Sequence, residues 1–165
     1  MTANLDRLMQ SLAAEAGLLE EMSVLLNEER RSVVNLDAAA LEVETERKKE
    51  LQARLESSSS LCRQQLHRLG EELRLPGVKT ISEVLPRLSG AEHVALKQAQ
   101  QRLLRLGGEV DRQQSLNRNL LENSLNLVNE SLQFFNSLLT RRPTYGQQGM
   151  MMDSGSGIRL VNKEI

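Results

Sequence analysis

Leu5, Leu12, Leu19, Leu26 and Val33 recur at intervals of seven residues. Leu8, Met22 and Leu36 occupy most of the second apolar position of the same heptads, whose remaining two places hold Glu15 and Glu29. A repeat of this length requires a helix packed lengthwise against other helices. It leaves open whether those helices belong to the same chain. Proline cannot occupy a helix interior without loss, and the three prolines stand at 76, 86 and 143. Residues 1–75 and 87–142 are therefore free to form long helices, and the repeat predicts the first over 3–34.

Asp37 stands before Ala38-Ala39-Ala40-Leu41, a good N-cap ahead of strong helix formers, so a tight break is expected at 35–37. The second helix is predicted over 37–75, with Leu41, Leu51, Leu55, Leu66, Leu69 and Leu73 on its apolar side. The run Ser57-Ser58-Ser59-Ser60 interrupts it, because serine hydroxyls compete for backbone hydrogen bonds, and predicts a kink. Pro76-Gly77 ends the helix. Thr80 and Glu83 have capping-box spacing at the head of a short helix over 80–89, which Pro86 limits to a turn or two. A final helix is predicted over 91–141, with a bend plausible at Gly107-Gly108. Leu96, Leu103, Val110 and Leu138 share one heptad phase; Leu106, Leu120, Leu127 and Phe134 share the other.

The expected fold is all-α: an elongated antiparallel bundle, or coiled coil, of three long helices and one short one. Residues 1–141 form one helical domain. From 142 to 165 the chain turns to Pro143, Gly146, Gly149, Gly155 and Gly157 among polar residues, which predicts a flexible, disordered tail. It finishes on an apolar and basic stretch from Ile158 to Ile165.

Composition narrows the function classes. A formal charge of −1 argues against nucleic acid, since phosphate neutralisation needs a net basic face. No apolar run approaches the roughly 18 residues of a membrane span, and Asp6 and Glu15 interrupt the stretch where a signal peptide would be apolar. The single Cys62 rules out a disulfide framework or a cysteine metal cluster and suits a reducing compartment. Cys62 and His67 fall on different helix faces, while His67 with Glu71 and His93 with Glu92 suggest surface pairing. The mixed-sign run from Glu42 to Glu50 reads as a solvated helix face. No catalytic residue, cofactor or metal is expected, and the chain is expected to be a cytoplasmic protein rather than an enzyme.

The unusual stretch is 117–139. Leu120, Leu121, Leu125, Leu127, Val128, Leu132, Phe134, Phe135, Leu138 and Leu139 spread over about half the helix circumference, where a surface helix needs an arc of only ~100°. Between Asn119 and Leu139 the charges are Glu122 and Glu130 alone, and the other side carries Asn119, Asn123, Asn126, Asn129 and Asn136. Such a helix either has bundle neighbours on both sides or presents an interaction surface. Tyr145, the one tyrosine, is either incidental in its polar segment or an anchor for a partner. Phe134, Phe135 and Tyr145 are the chain's aromatics, all in this region.

The order of Asn117-Arg118-Asn119-Leu120-Leu121, Ser124-Leu125, Leu138-Leu139, Tyr145-Gly146 and Gly149, after long helices and a capped break at Leu36-Asp37, resembles the FlgN-type flagellar export chaperones. The runs Met150-Met151-Met152 and Ser57–Ser60 depart from that pattern. The resemblance implies a chaperone without a nucleotide cycle. It would bind the C-terminal helices of hook-associated (hook–filament junction) proteins, prevent their premature assembly, and deliver them to the type III export gate. Carried over, the client face comprises Leu121, Leu125, Val128, Leu132, Phe135 and Leu139, and Tyr145 contacts the cytoplasmic domain of the gate. A monomer or weak self-association is expected. The alternatives are a homo-oligomeric coiled-coil scaffold or adaptor, and a chaperone for another flagellar subunit such as flagellin or the cap protein.

Overall fold

The computed structural model describes residues 3–140, Thr144–Tyr145 and Met151–Met152. Helix α1 spans Ala3–Val34, α2 Ala38–Glu72, α3 Ile81–Val84 and α4 Gly90–Thr140, with a 3₁₀ turn at Leu85–Arg87. The fold is all-α. A two-residue antiparallel pair, β1 (Thr144–Tyr145) with β2 (Met151–Met152), follows the helices. The rest of the expected tail lies outside the described residues. The chain divides into two units, residues 1–124 and 125–165.

In the first unit, Asp37 caps α2 as the sequence predicts, its Oδ1 accepting from the Ala40 amide at 3.0 Å. The preceding helix closes through Leu36, which adopts a left-handed φ of 55° while the Asp37 amide reaches back to the Ser32 carbonyl at 2.9 Å. That conformation favours glycine. It also turns Leu36 outward, leaving it 69% exposed, so Leu36 does not extend the apolar seam as its spacing suggests. Arg74 ends α2 in the same way, at φ 58°, with the Leu75 amide bonded to the Gly70 carbonyl.

Polar pairs give the directions of the long helices. Arg47 meets Glu28, Arg54 meets Glu21 and Asn4 meets Glu72, so α1 and α2 form an antiparallel hairpin. Arg102 bonds Glu20 at 2.7 Å and Asn117 bonds the Leu26 carbonyl at 2.8 Å, so α4 runs parallel to α1 in this unit. The exposed ion pairs are worth little each, about 0.2–1 kcal/mol. Stability resides in two apolar clusters. Leu5, Leu8, Leu12, Cys62, Leu66, Leu69, Val78, Val84 and Leu96 form one; Met22, Leu25, Leu26, Leu51 and Val110 form the other. Fully burying a leucine contributes roughly 1.5–3 kcal/mol. Gly70 lets Val78 approach, since an added Cβ there would lie 2.9 Å from Val78 Cγ2.

Two expectations are corrected. The serine run does not interrupt α2, which is helical throughout. Ser59 Oγ instead donates to Glu15, so the hydroxyl that threatened the helix pairs with a carboxylate interrupting the α1 seam. The capping box also takes another form: Thr80 makes no side-chain cap bond, and its hydroxyl donates to Glu83 Oε1 at 2.7 Å. This bond holds the Glu83 carboxyl below the usual range. The short helix is correspondingly only Ile81–Val84 before the 3₁₀ turn at Pro86.

Candidate partner-binding site

Within the first unit, α4 buries Leu96, Leu106, Val110, Gln113 and Asn117. Asn117, first residue of the Asn-rich motif, is a structural anchor. Its Nδ2 donates to the Leu26 carbonyl and to Glu29 Oε2 at 2.7 Å, and its Oδ1 accepts from Arg30 Nε at 3.1 Å. Lys48 of α2 donates to the other oxygen of Glu29. The second carboxylate in the α1 seam is thereby satisfied from two helices at once, as a buried charge must be. The repeat revealed Glu29 as an irregularity, but its partners lie too far along the chain for spacing to show.

In the second unit the environment is different. Every residue from Leu125 to Thr140 is exposed. Leu125, Val128, Leu132, Phe135 and Leu139 are between 46% and 76% exposed, as are Leu127, Phe134 and Leu138. Neighbours on both sides, the alternative account of this apolar arc, are therefore not present over 125–140 among the described residues. Leu121, the first residue of the expected client face, belongs to the first unit and is half-buried there.

The surface is prepared for contact in three respects. Its hydroxyls are turned back on the helix: Ser131 donates to the Leu127 carbonyl at 2.8 Å, Ser137 to the Phe134 carbonyl at 2.7 Å, and Thr140 to the Asn136 carbonyl at 2.8 Å. They place no unsatisfied donor on an apolar partner. The Phe134 and Phe135 rings lie edge to face with centroids 5.9 Å apart, so each supports the other's position. Glu130 is the one charge between Leu125 and Thr140, so little charge need be desolvated on binding.

A family profile described as FlgN protein matches residues 1–152. The chain belongs to the FlgN family. That membership places it broadly among the flagellar export chaperones. No curated protein and no solved structure matches the chain. The FlgN match covers both the bundle and the exposed end of α4. Tyr145 lies in β1, and its side chain is outside the described residues.

The residues considered for chemistry are arranged otherwise. Cys62 is buried in the first apolar cluster, and burial, aided by Glu15, pushes its thiol from 9.0 up to about 11. It is held as a neutral thiol, the unreactive form. His67 is exposed, with Nδ1 3.5 Å from Glu71. His93 does not simply pair at the surface; its Nδ1 lies 2.9 Å from the Leu85 carbonyl, tying α4 to the 3₁₀ turn. Among the described residues, no group of three metal-ligating side chains converges and no helix is long and apolar enough to cross a membrane.

Proposed function

We propose that this FlgN-family chain is a cytoplasmic type III export chaperone for hook-associated proteins. It binds their C-terminal helical segment along Leu121, Leu125, Val128, Leu132, Phe135 and Leu139, and so keeps the client from assembling prematurely. The reading rests on the exposed leucine and phenylalanine face of α4. Apolar surface of this extent on a helix marks an interaction site, and an amphipathic client helix is its natural complement. Burial on binding contributes roughly 25 cal/mol per Å² of apolar area, less the cost of ordering the client. The protein works by binding alone, without cofactor, metal or catalysis. Delivery follows through Tyr145, which contacts the cytoplasmic domain of the export gate.

The test is co-purification with client C-terminal segments. The triple variant Leu125→Asp, Val128→Asp, Leu132→Asp is expected to lose the client while its circular dichroism stays that of the wild type. Retained binding in this folded variant refutes the assignment of the face. Binding of flagellin or cap-protein segments in place of hook-associated ones would change the cargo; a stable oligomer indifferent to all clients would favour a scaffold. Tyr145→Ala is expected to weaken gate binding and leave client binding intact, and loss of both would move Tyr145 into the client site.

A further inference from the structure

Gly107-Gly108 lies inside α4, which is helical through the pair. An added Cβ at either glycine would meet nothing within 4 Å, so neither is there to admit a neighbour. Two glycines in a helix interior cost stability against alanine and make a place for the helix to bend. The pair also divides what α4 packs against. Before it, Leu96 belongs to the first apolar cluster, with Ala99 and Leu103 against it, and Leu106 is buried. Polar ties reinforce this part: Gln100 bonds Ser82 at 2.9 Å, His93 lies against the Leu85 carbonyl and Arg102 bonds Glu20.

From Gly108 to Ser124 the hold is of another kind. Val110 is the one apolar side chain that α4 buries there, and its companions are Gln113 and Asn117. Gln113 adds no bond through its carbonyl: Oε1 is buried with no hydrogen-bond partner among the described residues, which costs stability. Asn117 carries the polar contacts, bonding the Leu26 carbonyl, Glu29 and Arg30. The hairpin beneath does not need this stretch for its own pairing. There α1 and α2 bond each other directly, Ser32 to Glu44, Arg47 to Glu28 and Lys48 to Glu29.

We infer that α4 from Gly108 to Ser124 is a hinged arm, which bends at Gly107-Gly108, is latched to the hairpin by Asn117, and opens while the rest of the first unit stays folded. It does not depend on the client reading. Elements with few buried apolar contacts open at the low end of a protein's stability range, and Val110 is the arm's contribution to the second cluster. Opening breaks the Asn117 bonds and uncovers the part of that cluster which Val110 closes, beside Met22, Leu25 and Leu26. The first cluster, with Leu96, is untouched. The chain then has a latched and an open state, and a ligand that contacts the arm selects between them by its difference in affinity.

The experiment uses the full chain with Cys62→Ala and one new thiol, placed by Val110→Cys on the arm or by Val84→Cys in the first cluster; both valines are buried. Labelling by a thiol-reactive disulfide reagent at pH 8 reports how often each site opens. With Val110→Cys it is expected to be at least about 10-fold faster than with Val84→Cys, and to rise less steeply in low urea, because the urea slope follows the surface exposed. Adding Asn117→Ala is expected to speed labelling at position 110 by about 100-fold without steepening that slope. Adding Gly107→Ala and Gly108→Ala is expected to slow it by about 10-fold. Equal rates and slopes at the two sites would mean that position 110 opens only by global unfolding, and overturn the arm. A rate at 110 unmoved by Asn117→Ala overturns the latch, and one unmoved by the two alanines overturns the hinge. Hydrogen exchange of the wild-type chain needs no substitution: amides from Glu109 to Leu120 are expected to exchange at least about 10-fold faster than those from Met22 to Val33. Equal protection of the two stretches overturns the arm as well.

Discussion

Asn117→Ala tests how α4 is held to the hairpin. The wild-type side chain is 2% exposed and makes three hydrogen bonds, to the Leu26 carbonyl, Glu29 and Arg30. A bond between neutral partners is worth about 1 kcal/mol net and one to a charged group about 1.5–3 kcal/mol. With two of the three partners charged, the direct loss is about 4–7 kcal/mol. Relief comes from Lys48, which still pairs with Glu29. The expected net destabilisation is about 3 kcal/mol, a large share of a typical total of 5–15 kcal/mol. Urea unfolding followed by circular dichroism at pH 7 should register this as a midpoint lowered by roughly 1–2 M, for a slope of about 2 kcal/mol/M. A double-mutant cycle with Glu29→Ala should return a coupling of at least about 1 kcal/mol, as contacting partners do. A loss below about 0.5 kcal/mol would refute the argument, since the network would then contribute specificity without stability, as some buried polar groups do.

Leu36→Gly is expected to stabilise by about 1 kcal/mol in the same assay, because it relieves a left-handed residue whose side chain is exposed and gives up little burial; a destabilised variant would show that Leu36 packs in solution. Native Cys62 should resist iodoacetamide at pH 8, where the urea-unfolded chain reacts. Its raised pKa also carries a sign: the folded state holds the proton more tightly, so this contribution is complete below pH 9.0 and is lost as pH rises towards about 11. Wild type should therefore lose stability relative to Cys62→Val across that window, and parallel curves would contradict the shift.

Legibility differed by the kind of interaction. Helix α1, the break at Asp37 and the long final helix follow from local spacing and capping, which act within a turn or two. The serine run misled because a hydroxyl's preference for the backbone is a local tendency. Glu15, 44 residues away in sequence, supplied Ser59 with a better partner. Leu36 misled for the converse reason: it has seam spacing, but the helix has already turned into its closing conformation there. Thr80 and Glu83 have capping-box spacing, yet a four-residue helix gives the box little to cap. The apolar breadth of 117–139 was visible in the sequence, whereas the lack of neighbours over 125–140 among the described residues was not.

By itself, the sequence determined that this is an all-helical chain with heptad seams, two carboxylates out of place in the first of them, and an apolar excess at the end of the last helix. Those are consequences of residue type and period, which need no knowledge of neighbours. Only the tertiary structure decided that Glu29 is answered by Asn117, 88 residues away, and by Lys48, and that Asn117 is an anchor rather than part of an open surface. It also decided that α4 is buried at Leu106 and Val110 and exposed at Leu127 and Phe134. The reason is that a period records which side of a helix is apolar, while burial depends on whether another helix lies against that side, and a heptad reads the same with or without one.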